Sequence, residues 1–380
     1  MAAASTGPEL VPRLYAHIVG WGMAVPECVM TNDDLSAFVD TNDQWIHERT
    51  GIRQRYIAND RESSATLGLG AARRALEIAN ILPTDLDLIV VATSTPEHIF
   101  PATASLIQDW LGATKAGAYD LSAACSGFVY ALENAAQAIK AGSVKIALVI
   151  GAETMSRVMD WHDRTTCVLF GDGAGAVVLK ASTQPGGVLA SLLRSDGAGC
   201  DLLAIPTQNV RDLAGHRLNR MYMAGQDVFK FAVRVVDEGI RQCLDKAGVA
   251  LEDVRLIVPH QANQRILASV AKRLKMDSSM FMSNVERYGN TSAASIPIAL
   301  CEAIEQKRVR ANDHIVLIGF GGGLTWAASV IKWGVPKPEA PLLNRPRRQF
   351  AYALADVRSR FTRLQRAYSA LRRRLKKLLS

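Results

Sequence analysis

Four short, almost unbroken apolar runs stand out along the chain: LIVVAT from Leu88, KIALVIGA from Lys145, LIVPH from Leu256 and HIVLIGF from His314. Runs of this length without alternation predict strands covered on both faces. Between them the apolar positions recur at helical spacing, as in AARRALEIANILP from Ala71 and GIRQCLDKAGVAL from Gly239. Strands alternating with helices predict an α/β architecture with covered sheets. The pattern also repeats. TDLDLIV at Thr84–Val90 and EDVRLIV at Glu252–Val258 lie 168 positions apart, and so do ALVIG at Ala147–Gly151 and IVLIG at Ile315–Gly319. A constant offset across two separated segments predicts two similar halves that pack into a layered α-β-α-β-α body. The expected boundaries are 14–185 and 186–334, with 335–380 as an appended segment in which Pro336, Pro338, Pro341 and Pro346 mark a linker.

The appended segment carries the charge. The chain has 44 Lys and Arg against 36 Asp and Glu, a net +8. Residues 337–380 hold 13 of the basic and two of the acidic residues, net +11, which leaves the body at −3. The body therefore offers no basic surface for nucleic acid, and no nucleic-acid partner is expected. No run of 18 apolar residues predicts a membrane span, and Met1–Arg13 lacks the layout of a secretory signal. The cysteines, at 28, 125, 167, 200, 243 and 301, are scattered without a CxxC pair. That argues against a zinc site and a disulfide framework and favours a reducing cytoplasm.

Candidate chemistry sits where strands end. Cys125 lies in DLSAACSGFVYALENAAQAIK, between strand-like residues and an Ala-rich helix, among small neighbours that permit close substrate approach. At a helix start a thiolate gains from the dipole and the unpaired N–H groups, which suits a nucleophile for thioesters. A small buried cysteine is the plainer reading of that residue by itself, and it is the one given to Cys28, Cys167, Cys200, Cys243 and Cys301. His260 directly follows the strand LIVP, where ligands of α/β sheets gather; it equally fits a hydrogen-bonded core histidine. Asn290, after Gly289 in RYGNTSAASIP, fits either a site residue or a helix cap. The glycines of GFGGGLTW, Gly321 to Gly323, have backbone N–H groups suited to an oxyanion site.

Together, ACSG, PHQAN, YGNTSAASIP and GFGGGLTW, in this order and spacing, resemble the β-ketoacyl-acyl-carrier-protein synthase III family of the thiolase superfamily. The resemblance spans about Tyr15 to Trp333 and implies the thiolase-like duplicated fold. It implies a catalytic triad of Cys125, His260 and Asn290, with oxyanion donors at the Cys125 and Gly322 backbone. Trp45 and Arg49 in NDQWIHERTGI, Arg164 in HDRTTC and Asn263 look like coenzyme A contacts. Lys230, Arg265, Lys272 and Arg273 resemble a basic patch for an acidic carrier protein, and Phe100 resembles a residue closing the partner's acyl pocket in a homodimer.

The chemistry so implied is acylation of Cys125 by an acyl-CoA, then decarboxylative Claisen condensation with malonyl-acyl-carrier protein, without metal or redox cofactor. Priming a polyketide or another acyl transfer is an alternative within the same machinery. A biosynthetic thiolase lacks support, since its second cysteine is missing from GFGGGLTW, and a non-catalytic partner subunit would be expected to lose the nucleophile. Beyond Trp333 the resemblance ends. There Phe350, Leu354, Val357, Phe361, Leu364, Tyr368, Leu371, Leu375 and Leu378 recur at alternating spacings of four and three, a heptad stripe ~43 Å long if helical. Arg358 and Arg372 flank it on one side, Arg360 and Arg374 on the other, so self-pairing would oppose like charges. The expectation is a basic amphipathic helix for an anionic membrane surface or an acidic partner, against the plainer reading of a helix folded back on the acidic body.

Overall fold

In the computed structural model, residues 12–206, 220–334 and 344–379 are described. The apolar runs become strands and the periodic segments helices. The principal elements of the first half are β1 (Tyr15–Ala24), α1 (Asp43–Thr50), α2 (Ser64–Ala79), β2 (Leu88–Ala92), α3 (Thr103–Leu111), β3 (Gly117–Leu121), α4 (Gly127–Lys140), β4 (Ile146–Thr154) and β5 (Asp172–Ser182). The second half follows with β6 (Gly187–Ser195), α5 (Gly225–Ala247), β7 (Val254–Pro259), α6 (Gln264–Leu274), α7 (Ser295–Glu305), β8 (His314–Gly321) and β9 (Thr325–Lys332), and α8 (Asn344–Leu379) ends the chain.

The strands form two large sheets. Their orders are β1–β5–β4–β2–β3 in the first half and β6–β9–β8–β7 in the second. The repeat seen in the sequence is a repeat of topology and of register. Val90 pairs with Val149 in parallel across β2 and β4, and Val258 pairs with Leu317 in parallel across β7 and β8, the same 168-residue offset at both partners. In each half the next two pairings are antiparallel.

Five layers result. Helices α2 and α3 cover the outer face of the first sheet through Leu67, Leu76, Ile107 and Leu111. Helices α4 and α7 fill the space between the sheets, where Phe128, Leu132, Ile296 and Leu300 meet Val90, Val149, Val258 and Leu317. Helices α5 and α6 cover the second sheet, with Val235, Ile240, Val270 and Leu274 packed on Val316 and Ile318. The central strands β2, β4, β7 and β8, sandwiched this way, have almost no solvent face, which is why their sequences read as continuous apolar runs.

Pro336, Pro338 and Pro341 of the expected linker lie outside the described residues. Pro346 is not linker. It sits in the first turn of α8, which begins at Asn344, a place where a residue without an N–H interrupts no helical bond.

Candidate active site

The site is built at the seam between the two halves. Strand β3 leads into a 3-10 turn, Ala124–Ser126, that passes into α4. Ala124 takes a left-handed conformation, φ 45°. This unusual turn presents Cys125, which is 6% exposed. Ser126 Oγ lies 2.7 Å from Thr325 Oγ1, and Thr325 Oγ1 lies 3.0 Å from the Gly322 carbonyl oxygen, so the nucleophile turn and the glycine loop are tied together. A Cβ on Gly321 would stand 2.8 Å from the Cys125 nitrogen and 3.2 Å from its sulfur; only a residue without a side chain lets that loop approach so closely.

His260 follows β7 directly, its N–H bonded to the Ile318 carbonyl on β8 at 2.8 Å. Its Nδ1 lies 2.6 Å from Ser295 Oγ, and its ring meets Phe320 edge-on at 5.1 Å. Ser295 Oγ also accepts from the Gln261 N–H at 3.4 Å. A Ser295 hydroxyl that donates to Nδ1 places the proton of a neutral imidazole on Nε2. Burial without a counter-charge lowers the His260 pKa to about 3, so the ring is neutral at physiological pH.

Asn290 is held by its backbone: its N–H donates to the Leu169 carbonyl at 2.8 Å and its carbonyl accepts from Gly171 at 3.1 Å. Its side-chain Oδ1 accepts from the Ser292 N–H at 2.8 Å, which leaves the amide NH₂ as the outward donor. Cys125, His260, Asn290 and Gly321 to Gly323 all line one cavity of about 490 Å³, together with Met155, Leu203 and Phe229. The cavity thus offers a thiol and two neutral hydrogen-bond donors within mostly apolar walls.

Burial works against the thiolate that the helix start favours at Cys125. Burial pushes its pKa up to about 12, against an opposing hydrogen bond from Ser292 and with a further upward push from the nearby carboxylate of Glu153. Losing water costs the anion more here than that hydrogen bond restores. Glu153 and Ser292 were not singled out in the sequence. Glu153 is fully buried at the end of β4, bonded to Ser292 Oγ at 3.0 Å, Thr95 Oγ1 at 2.6 Å and the Ser94 N–H at 3.0 Å, and burial raises its pKa. An acidic residue closing the apolar run IALVIGAE is the signal that could have found it. Ser295, one of several small polar residues in NTSAAS, had no distinguishing mark. Cys200, read as a plain buried cysteine, is exposed and lines the cavity.

The remaining candidates fall into three groups. Both Arg49 and Arg164 stack on the Trp45 ring, 4.5 Å and 5.4 Å from its centroid, and Asn263 Nδ2 donates to the Arg49 carbonyl at 3.1 Å. Asn263 lines the cavity, so the aromatic–guanidinium cluster adjoins its mouth. Arg265 lies 6.0 Å over Phe229, next to Lys230, and both cations are exposed at the same rim. Lys272 is exposed, whereas Arg273 is paired with Asp237 at 2.7 Å and shares that carboxylate with Arg241. Phe100 is 85% exposed and is absent from the lining of this chain's own cavity. All six cysteines are free, and no group of His, Cys, Asp and Glu among the described residues could hold a metal ion.

Comparison with known proteins places the chain. Residues 119–197 match the family model for 3-oxoacyl-[acyl-carrier-protein] synthase III, and residues 244–333 match the model for its C-terminal part. The chain is 50% identical over 321 residues to β-ketoacyl-[acyl-carrier-protein] synthase III of Desulfitobacterium hafniense strain Y51, covering 83% of this chain and 97% of that protein. It belongs to the β-ketoacyl-acyl-carrier-protein synthase III family. A synthase III of Roseiflexus sp. strain RS-1 is 47% identical, with 84% of this chain and 98% of the relative covered. Among solved structures, the synthase III of Aquifex aeolicus VF5 is 46% identical with a TM-score of 0.79, covering 84% of this chain and all of that one. The priming β-ketosynthase of the R1128 polyketide pathway is 36% identical with a TM-score of 0.81, covering 87% of this chain and all of that one. The synthase is therefore a thiolase-fold condensing acyltransferase, and its α8 lies beyond the family's matched length.

Proposed function

We infer that this synthase III joins an acyl-CoA to malonyl-acyl-carrier protein in the initiating condensation of fatty-acid synthesis. The observation that carries the reading is the convergence of Cys125, His260 and Asn290 on one cavity. The Cys125 sulfur attacks the acyl-CoA carbonyl, the bond to the coenzyme A sulfur breaks, and the departing thiolate takes up the proton lost from Cys125. Backbone N–H groups of Cys125 and Gly322 hold the tetrahedral oxyanion. The malonyl thioester then enters the same cavity. His260 Nε2–H and the Asn290 amide donate to its carbonyl oxygen, stabilising the enolate formed as CO₂ leaves with the C–C electron pair directed to the α-carbon. That carbon attacks the acyl-cysteine, the C–S bond breaks, and a 3-ketoacyl-carrier protein is released while Cys125 regains its proton from solvent.

Trp45, Arg49, Arg164 and Asn263 are assigned to coenzyme A, stacking Arg and Trp planes on its base. Lys230 and Arg265 are assigned to the carrier protein with Lys272, and Arg273 makes a smaller contribution because Asp237 already neutralises it. Exposed Ile99 and Phe100, beside the unpaired edge strand β3, support a homodimer in which Phe100 reaches the partner's acyl pocket. The body is assigned to the cytoplasm; no helix among the described residues is long and apolar enough to cross a membrane. The appended α8 is assigned to attachment at an anionic membrane surface or an acidic partner.

Incubation with acyl-CoA followed by intact-mass measurement tests the reading. One acyl group should appear on the wild type and none on Cys125→Ala, and acylation of the alanine variant would overturn the assignment. The likeness to a polyketide priming enzyme supports a second use of the same site, and a panel of acetyl, branched and longer acyl-CoA primers separates the two.

A further inference from the structure

Helix α8 meets the body with one face only. Arg348, Ala355 and Ser359 are buried, and Tyr352 is half-buried under Arg73, whose guanidinium lies 4.9 Å over its ring. Arg348 Nη1 lies 3.0 Å from Asn80 Oδ1, Ser359 Oγ 2.5 Å from Asp109 Oδ2, Arg363 3.3 Å from the same carboxylate, and Arg345 3.5 Å from Glu77. These residues recur at three, four and seven positions, the spacing of one helix face. It is a polar and small-residue face, and it is not the heptad stripe.

The stripe lies on the opposite side. At 3.6 residues per turn, Leu354, Val357, Phe361 and Leu364 stand about half a turn from Ala355 and Ser359. Leu354, Val357, Phe361, Leu364, Tyr368 and Leu371 are each 55–68% exposed. The fold-back reading of the sequence is thus half met. The helix is fixed to the body, and the body leaves its apolar side uncovered. Singly exposed apolar residues are ordinary; a continuous helical row of them marks an interaction surface.

The charges around the row select the occupant. Within residues 345–372 Asp356 is the acidic residue, and it is paired with Arg360 at 3.0 Å. Arg347, Arg358 and Arg372 are exposed and form no ion pair with a described residue. A second copy laid on the stripe would bring the Arg358 and Arg372 flank and the Arg360 flank against their own counterparts, which disfavours it. A bilayer bearing anionic headgroups instead meets apolar residues with its acyl boundary and arginines with its phosphates.

We propose that the synthase docks on anionic lipid bilayers through the outward face of α8, with the helix held between its body and the membrane. The layer order gives the docked enzyme its orientation. Helix α8 lies outside the α2–α3 layer, whereas the Lys230 and Arg265 rim belongs to the α5–α6 layer on the other side of the molecule. A membrane-bound enzyme keeps its mouth toward the aqueous phase. The proposal rests on the attachment reading of α8 and not on the assignment of the active site.

Co-sedimentation with phosphatidylcholine vesicles, with and without phosphatidylglycerol, tests it. The full-length protein should partition onto the phosphatidylglycerol vesicles at low salt and release as salt rises. Phe361→Glu with Leu364→Glu, both on exposed positions, should weaken partitioning at least ~10-fold, from lost apolar contact and added repulsion, and leave turnover in solution unchanged. Absence of binding at low salt, equal binding to vesicles without phosphatidylglycerol, or unchanged binding of the double variant would overturn the proposal. So would sedimentation velocity showing that the double variant breaks up an assembly the wild type forms without lipid, because the stripe would then be covered by a second copy. Cys125→Ala should bind the vesicles as the wild type does, and acylation of that variant would overturn only the active-site reading.

Discussion

The two halves of the body are built alike and carry different side chains at equivalent places. Each has a 3-10 turn before its central helix, Ala124–Ser126 before α4 and Ser292–Ala294 before α7, at the same 168-residue offset. Each turn places one residue in the left-handed region, Ala124 at φ 45° and Ser292 at φ 48°. Each turn is also accommodated by a glycine of the other half. A Cβ on Gly151 of β4 would stand 2.2 Å from the Ala293 carbonyl oxygen, and one on Gly319 of β8 would stand 2.8 Å from Ser126 Cα. The residues at equivalent places have diverged. Cys125 corresponds to Ala293. His260 and Ser295, 2.6 Å apart, correspond to Ala92 and Gly127, where a Cβ on the glycine would lie 3.2 Å from the alanine Cβ. One half places a thiol above hydrocarbon; the other places an alanine above a hydrogen-bonded imidazole. A duplicated scaffold thus brings two copies of one turn to a shared seam, and side-chain substitution fits them for the separate tasks proposed above.

That division can be broken from the donor side. His260→Ala and Asn290→Ala should each lower malonyl decarboxylation roughly 10²–10³-fold by removing one enolate donor. Acylation of Cys125 from acyl-CoA should fall much less. Equal losses in both half-reactions, followed by CO₂ release and intact mass, would show that the second half also drives the first step.

The outer layers extend the contrast, because the cations at the mouth belong to the second half. Lys230→Glu with Arg265→Glu should raise the KM for malonyl-acyl-carrier protein by roughly tenfold or more at low salt, an effect that shrinks as salt screens the charges. The KM for acyl-CoA should hardly change. Matching rises for both substrates would place these residues in the shared tunnel rather than at a docking face.

A sharper cut removes only what distinguishes His260 from a bare donor. Ser295→Ala deletes the partner of Nδ1 and frees the ring to place its proton on either nitrogen. Loss of one such hydrogen bond is worth about 1–1.5 kcal/mol, or roughly tenfold in decarboxylation. The drop should appear in kcat with KM unchanged, and Ser295→Thr should recover part of it. A purely structural role would instead lower stability and leave the kcat of the folded enzyme intact.

The last effect concerns stability against pH, not turnover. His260 is held neutral in the folded protein, with its pKa lowered from 6.5 to about 3. The unfolded chain takes up that proton below about 6.5 while the folded chain does not. The stability tied to the neutral ring is therefore full above 6.5 and declines as pH falls toward about 3, by up to about 1.4 kcal/mol per pH unit. Denaturant melts across this window should show the slope in the wild type and a shallower one in His260→Gln. Equal slopes would mean that the ring is protonated, or solvated, in the folded state.

Much of this molecule was legible in its linear order. The apolar runs gave the strands and the 168-residue offset gave the duplication, because burial on both faces leaves direct marks on composition, and the motifs behind the family resemblance named Cys125, His260 and Asn290, which the fold brings to one cavity. Other features needed the folded chain. The thiol state of Cys125 is a matter of desolvation, and the amount of water removed from a side chain is fixed by neighbours far away in sequence. Ser295 and Glu153 matter through partners 35 and 139 positions distant, namely His260 and Ser292. The tail shows the division most plainly. Its sequence determined an amphipathic basic helix, since heptad spacing is a local property. Only tertiary structure decided which side faces the body, because docking is governed by Asp109, Glu77, Asn80 and Arg73 on α2, α3 and the residue that follows α2, whose positions no local pattern reveals.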